Sequence, residues 1–130
     1  MIKKIALMAG VFALAITVMV SPGLSKKAVL AAENPLVISA VQTTGGEGKT
    51  AEDYIELYNR NSEPFNLNGY RIVKRSETGT TDASVKSWST DTFVPAYSFY
   101  LWANSGFTGI SAAPDATTSS TLADNNGVGL

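Results

Sequence analysis

The sequence predicts an all-β fold: an antiparallel β-sandwich that follows an N-terminal export signal. Three observations support this prediction. Beyond residue 33, short runs of β-branched and aromatic residues alternate with turns rich in Gly, Asn, Pro, Ser and Thr. No amphipathic helix pattern occurs in that part of the chain. Ahead of it, a basic start leads into an uncharged apolar run, which is typical of a secretory signal.

The export signal is predicted to occupy residues 1–32. Its apolar run of 16 uncharged residues, 5–20, is closed by Pro22 and Gly23. A membrane-spanning helix needs about twenty apolar residues, so this run is somewhat short, and an uncleaved anchor is the alternative. We expect cleavage after Ala32, or after Ala31. The protein is therefore predicted to be extracytoplasmic, secreted or at the cell surface, and to meet a membrane only through this N-terminal segment.

Residue counts exclude several kinds of site. The chain has Cys 0 and His 0, so it holds no disulfide, no thiol nucleophile, no Cys/His zinc site and no Ser-His-Asp triad. Four of its 10 basic residues lie in the signal, which leaves residues 33–130 with 6 basic against 11 acidic residues, a net charge of −5. An acidic domain disfavours nucleic-acid binding. No cofactor and no catalytic residue is predicted.

The first predicted strands alternate with polar loops. Residues 36–41 are a β-branched apolar run, and the Gly-rich residues 43–53 form a loop. Residues 54–59 alternate with a period of two, which is the pattern of a strand with one buried face. Asn, Pro and Gly within residues 61–69 then predict a turn.

The later segments repeat this organisation. Residues 70–74 alternate again, residues 76–84 are a second polar loop, and a less regular strand pair surrounds residues 89–91. Residues 97–103 are the most strongly β-forming run of the chain, whereas residues 104–120 have the composition of a loop. The predicted core contains Ile55, Leu57, Leu67, Tyr70, Ile72 and Leu101.

Four segments, in order, carry a more specific pattern. They are VISAV at 37–41, DYIELYN at 53–59, FNLNGYRI at 65–72 and the run from Pro95 to Asn104. This pattern resembles the lamin tail domain, an immunoglobulin-like sandwich of nuclear lamins and of exported bacterial proteins. The resemblance covers nearly all of residues 36–130, and DYIELYN followed by LNGYxI is its most specific part. The structural motif residues that it implies are Ile38, Tyr54, Ile55, Glu56, Leu57, Tyr58, Asn59, Leu67, Gly69, Tyr70, Ile72, Leu101 and Asn104.

Two departures from the family pattern affect the expectations. Ala40 stands where the family commonly carries an acidic residue, and the chain stops at Leu130, just as a strand after Asn126-Gly127 should begin. We therefore expect the sandwich to lack its last strand or strands. Residues 33–130 by themselves are then expected to be marginally stable and to associate through an unpaired strand edge.

The resemblance implies a non-catalytic structural or protein-interaction module whose partner, a protein or a cell-surface component, is unknown. The alternative is an accessory domain of an exported hydrolase, such as a nuclease or phosphoesterase. A downstream domain with clustered His and Asp residues would favour the alternative.

Several residues have a functional alternative to the favoured structural interpretation. Glu56 is expected to face solvent on its strand, rather than to act as a catalytic acid. Asn59 and Asn61 are expected to bond local backbone in a turn, rather than a ligand. Trp88 and Trp102 are expected in the core, although each could also be a carbohydrate-stacking platform.

The charged residues of the loops and strands also have a functional alternative to the favoured structural interpretation. The acidic loop residues are expected to be solvated carboxylates rather than calcium ligands, because their spacing matches neither an EF-hand nor an RTX pattern. They are Glu47, Glu52, Asp53, Asp115 and Asp124. The densest basic cluster consists of Arg71, Lys74 and Arg75. We expect it to be a solvated strand face rather than a phosphate site.

Overall fold

The computed structural model describes residues 34–109 and 112–130. The predicted export signal and its cleavage at Ala32 lie outside these residues. Within the described ranges every regular element is a strand: β1 (Leu36–Gln42), β2 (Tyr54–Asn59), β3 (Phe65–Asn66), β4 (Arg71–Ser76), β5 (Ala83–Ser87), β6 (Phe93–Val94), β7 (Phe99–Asn104), β8 (Ala116–Thr118) and β9 (Asn126–Gly129). In this part of the chain there is accordingly no helix long and apolar enough to span a bilayer.

The strands form two sheets and a short ribbon. The front sheet has the order β1-β2-β7-β8, the back sheet has the order β5-β4-β9, and β3 pairs with β6 in the ribbon. All pairs are antiparallel except β7 with β8, which is parallel. The prediction of an all-β antiparallel sandwich is therefore confirmed, and β8 adds one parallel pair at the edge of the front sheet. That strand lies within residues 104–120, for which a loop was expected.

The inner side of the front sheet is apolar because β2 and β7 alternate in register. Ile55 pairs with Trp102 and Leu57 pairs with Tyr100. All four side chains are buried, and Ile55, Leu57 and Trp102 are 0% exposed. Burying such a side chain contributes roughly 1.5–3 kcal/mol, so this pair of strands supplies a large share of the core.

The core joins both sheets and the ribbon. Its buried members are Leu36, Ile55, Leu57, Leu67, Ile72, Val85, Trp88, Val94, Tyr100, Trp102 and Leu122. Trp88 and Trp102 are thus core residues, as expected. The core prediction is wrong for two residues: Tyr70 is 40% exposed, and Leu101 is only half-buried on the outer side of the front sheet.

The turn before β4 explains Gly69 and the exposure of Tyr70. The Tyr70 N–H donates to the Leu67 carbonyl at 2.9 Å, and Gly69 has φ +85°, the geometry of a type II turn, which requires a positive φ at its third residue. Tyr70 leaves this turn before β4 begins. Its ring packs edge-on against Phe65 with 5.1 Å between ring centroids, so it covers the ribbon instead of entering the core.

Strand β9 forms the third strand of the back sheet, beside β4. The strand expected after Asn126-Gly127 begins at Asn126 and pairs with β4, where Lys74 lies opposite Val128. Val128 and Leu130 pack against the core. That further strands follow, and that residues 33–130 associate without them, stay predictions.

Candidate functional site

The sequence motif is divided between the core and the outer side of the front sheet. Its buried members are Ile55, Leu57, Asn59, Leu67, Ile72 and Asn104, and Ile38 is partly buried against them. Four others, Tyr54, Glu56, Tyr58 and Leu101, lie on the outer side, because residues of β2 alternate and because Glu56 pairs with Leu101. The motif therefore specifies a core and, at the same time, an outer surface.

We call that outer surface the aromatic face; it consists of Val37, Tyr54, Glu56, Tyr58, Phe99 and Leu101. Tyr58 lies between Val37 on β1 and Phe99 on β7. The rings of Tyr58 and Phe99 are 4.7 Å apart between centroids and tilted by 33°. Phe99 is 57% exposed, so a large aromatic side chain at the end of this row is open to solvent.

Glu56 lies in the middle of the aromatic face. It is flanked on its own strand by Tyr54 and Tyr58, and across the sheet by Leu101. Its Oε1 accepts a hydrogen bond from the Ser39 hydroxyl at 2.7 Å, and the same hydroxyl lies 3.2 Å from its carbonyl oxygen. Glu56 thus faces outward, as the strand alternation predicts.

The edge of the face beyond Tyr54 is closed by a loop. Phe107 packs edge-on against Tyr54 at 5.7 Å between centroids, and Thr108 donates both its hydroxyl and its N–H to the Glu52 carboxylate. The Thr108 side-chain hydrogen bond is the main cause that lowers the pKa of Glu52. Glu52 therefore anchors this loop and is not a free solvated carboxylate.

Asn59 ends β2 as a buried polar junction. Its Nδ2 donates to the carbonyl oxygens of Glu63, Val94 and Pro95 at 2.8, 3.1 and 3.0 Å. Its Oδ1 accepts from the Asn61 N–H at 3.0 Å. The expected bond to local backbone is therefore present, and the bonds to Val94 and Pro95 tie the end of β2 to the residues that precede β7.

Asp53 was expected to be a solvated loop acid, and that expectation is wrong. Its side chain is 0% exposed, its Oδ2 accepts from the Leu122 N–H at 2.8 Å, and its Oδ1 has no hydrogen-bond partner. Burial raises the pKa of Asp53, against the opposing effects of the Leu122 N–H and of Lys74, and Asp124 adds to the increase. No spacing signal in the sequence marks this carboxylate as buried.

Asn104 lies beside Asp53 and fixes the entry to the next loop. Its N–H donates to the Asp53 carbonyl at 2.9 Å, and its Nδ2 donates to the Ser120 carbonyl at 2.8 Å. Its Oδ1 accepts from the Gly106 N–H at 2.8 Å. Both buried amides of the motif, Asn59 and Asn104, therefore use the nitrogen and the oxygen of the side chain in hydrogen bonds to backbone, which is a structural role.

The other acidic residues are dispersed. Asp115 accepts the Leu101 N–H at 2.8 Å, Asp124 accepts the Thr43 hydroxyl at 2.8 Å, and Glu47 is exposed. Among residues 34–109 and 112–130, no group of three or more acidic side chains is placed to hold a metal ion.

The basic cluster of β4 is engaged within the chain. Arg75 Nε forms an ion pair with Asp82 at 2.7 Å, and Lys74 Nζ donates to the Thr121 carbonyl. Arg71 is exposed. Two open depressions lie on the surface of the described part of the chain. One, of about 410 Å³, is lined by Thr44, Thr50, Thr121, Leu122, Ala123 and Asp124. The other, of about 330 Å³, is lined by Val73, Arg75, Asp82, Gly127, Val128 and Gly129.

Comparison with protein-family models identifies a family for this chain. Residues 30–129 match the family model described as Lamin Tail Domain. No curated protein matches the chain significantly.

Proposed function

The chain belongs to the lamin tail domain family, and from that premise we propose that it is a non-catalytic structural or protein-interaction module that works outside the cytoplasm. The family consists of immunoglobulin-like domains without catalytic activity. The extracytoplasmic part of the proposal rests on the basic start and the apolar run of residues 1–32.

The aromatic face is the observation that best supports an interaction role. A one-sided antiparallel sheet usually presents polar side chains to water, yet here Val37, Tyr58 and Phe99 form a continuous row on the outer side. Exposed apolar patches of this kind mark interaction sites, because leaving them in water costs free energy that a partner recovers.

Site-specific photo-crosslinking in the producing cell tests this proposal. Phe99 and Phe93 are matched, since both are phenylalanines with 57% and 56% of their surface exposed, but Phe93 lies on the ribbon and outside the aromatic face. A photoreactive phenylalanine at position 99 should form a discrete adduct with another protein, and the same group at position 93 should not. Equal adducts at both positions, or none at position 99, would contradict an interaction through this face.

A further inference from the structure

The charge on the front sheet is unusual because it is confined to one side chain. Strands β1, β2, β7 and β8 together contain Glu56 as their single charged residue. Strands β4 and β5 of the back sheet instead carry Arg71, Lys74, Arg75 and Lys86. A carboxylate without a basic neighbour on its own sheet, set among aromatic and aliphatic side chains, is not explained by the packing of this domain.

The Glu56 carboxylate keeps binding capacity that the domain leaves unused. Ser39 donates to Oε1, and in the described part of the chain no hydrogen bond or ion pair engages Oε2. Arg60, which follows β2, directs a guanidinium nitrogen to the Asn34 carbonyl at 2.9 Å. A second carboxylate, that of Asp115, is held at the backbone of Leu101, the residue that pairs with Glu56. The charged groups on and beside the aromatic face are therefore carboxylates, which favour a cation as the ligand.

The side chains around Glu56 suit a flat cation. Tyr54 and Tyr58 are two residues away on either side, which on a strand places each about 7 Å from Glu56 along the same face. A guanidinium is planar, binds a carboxylate through parallel N–H groups and stacks on aromatic rings, whereas an ammonium is a compact and strongly hydrated point charge. Contact between a cation and an aromatic ring adds about 0.5–2 kcal/mol.

We propose that the aromatic face binds an arginine side chain presented by a protein partner, with the guanidinium on the free side of the Glu56 carboxylate and against Tyr54 and Tyr58. The apolar row of Val37, Tyr58 and Phe99 then packs against apolar side chains that flank this arginine. The inference rests on the proposed function, because it names the chemistry of the partner that the interaction face would recognise.

Titration with single amino-acid probes tests the chemistry directly. The isotopically labelled protein is titrated with N-acetyl-arginine amide, and with the neutral isostere N-acetyl-citrulline amide, while backbone amide signals are followed by NMR. We expect saturable shifts confined to β1, β2 and β7 with the arginine probe and not with citrulline. Glu56→Gln should weaken this binding about tenfold or more, which corresponds to 1.4 kcal/mol. Glu77→Gln removes the same charge from an exposed site outside the strands and should leave binding unchanged.

Three results would overturn the inference. Equal shifts with citrulline would show that charge is not recognised, and unchanged binding in Glu56→Gln would show that the carboxylate is not the site. Shifts of the same residues that grow with protein concentration without any probe, and that vanish in Glu56→Gln, would assign the face to a second copy of this chain instead. Crosslinking at position 99 separates the two proposals: an adduct there, together with a negative arginine titration, retains the interaction module and rejects the arginine.

Discussion

The Asp53 carboxylate is buried with one oxygen bonded to the Leu122 N–H and the other without a partner. Its pKa is raised above the ordinary value of 3.8 because burial disfavours the charged form. The folded protein therefore holds this proton more tightly than the unfolded chain does. The resulting stabilisation is present below the ordinary pKa and is lost as the pH rises through the raised value.

Replacing Asp53 with Asn removes this dependence, since the amide is neutral at every pH. We expect the unfolding free energy of the native protein, minus that of Asp53→Asn, to fall as the pH is raised from about 3 to about 7. Urea denaturation followed by tryptophan fluorescence measures both proteins at each pH. Glu52, Asp82 and Asp91 have lowered pKa values, but they are common to both proteins and cancel in the difference. A difference that rises with pH would contradict the assignment.

Asn59 should be among the least replaceable polar residues. Asn59→Ala leaves the carbonyl oxygens of Val94 and Pro95 without their donor, and an unsatisfied buried group costs about 1–3 kcal/mol, so we expect a loss of roughly 2–4 kcal/mol. Asn61→Ala is the control: its side chain is exposed, and Asn61 takes part in the junction through its backbone N–H and carbonyl, which the substitution keeps. Chemical denaturation of the two variants should give clearly different midpoints, and similar midpoints would refute the junction.

At the level of single strands, substitutions on the two sides of the front sheet should differ in their cost to stability. Leu57 is 0% exposed, and its truncation to Ala should cost about 2–5 kcal/mol because a cavity remains in the core. Leu101 lies on the aromatic face and is half-buried, so Leu101→Ala should cost about 1 kcal/mol or less. Thermal unfolding of both variants checks this contrast. Equal losses would mean that β7 is not oriented with Trp102 inward.

Strand alternation explains which parts of the fold were predictable. In β2 the polar residues separate the apolar ones, so the inner positions of Ile55 and Leu57 follow from the sequence. In β7 every residue from Phe99 to Ala103 is apolar or aromatic, and periodicity therefore gives no side. The prediction of Leu101 in the core is accordingly wrong, and Tyr100 and Trp102 occupy the interior instead.

Other features depend on contacts that no local pattern encodes. Strand β8 has the sequence ATT, which carries no apolar alternation, and it exists because the backbone of β7 offers it a parallel partner. The burial of Asp53 depends on Leu122, 69 residues away in sequence. The aromatic face combines residues of β1, β2 and β7. Strand alternation indicates its members on β2, but placing Phe99 and Leu101 beside them required the register of the sheet.

For the whole molecule, the sequence makes one prediction that concerns its N-terminus. The export signal of residues 1–32 should be removed, so a C-terminally tagged chain should be recovered outside the cytoplasm and shortened by about thirty residues. N-terminal sequencing of the exported product should start at Glu33, or at Ala32 if cleavage follows Ala31. A product that begins at Met1 or Ile2 would instead support the uncleaved anchor. Replacing residues in the apolar run with charged ones provides the control, because it should retain the chain inside the cell.

The pairing of strands that are distant in sequence should also slow the folding of the protein. The front sheet requires β2 to pair with β7, where Leu57 lies opposite Tyr100, and the back sheet requires β4 to pair with β9, where Lys74 lies opposite Val128. Such high contact order places all-β domains in the millisecond-to-second range, rather than the microseconds typical of helical bundles. Trp102, which is 0% exposed in the folded state, should report this step in stopped-flow fluorescence as a single slow phase. If the chain is exported as its N-terminus predicts, slow closure of the sheets leaves time for an extended chain to be threaded through a membrane before it folds.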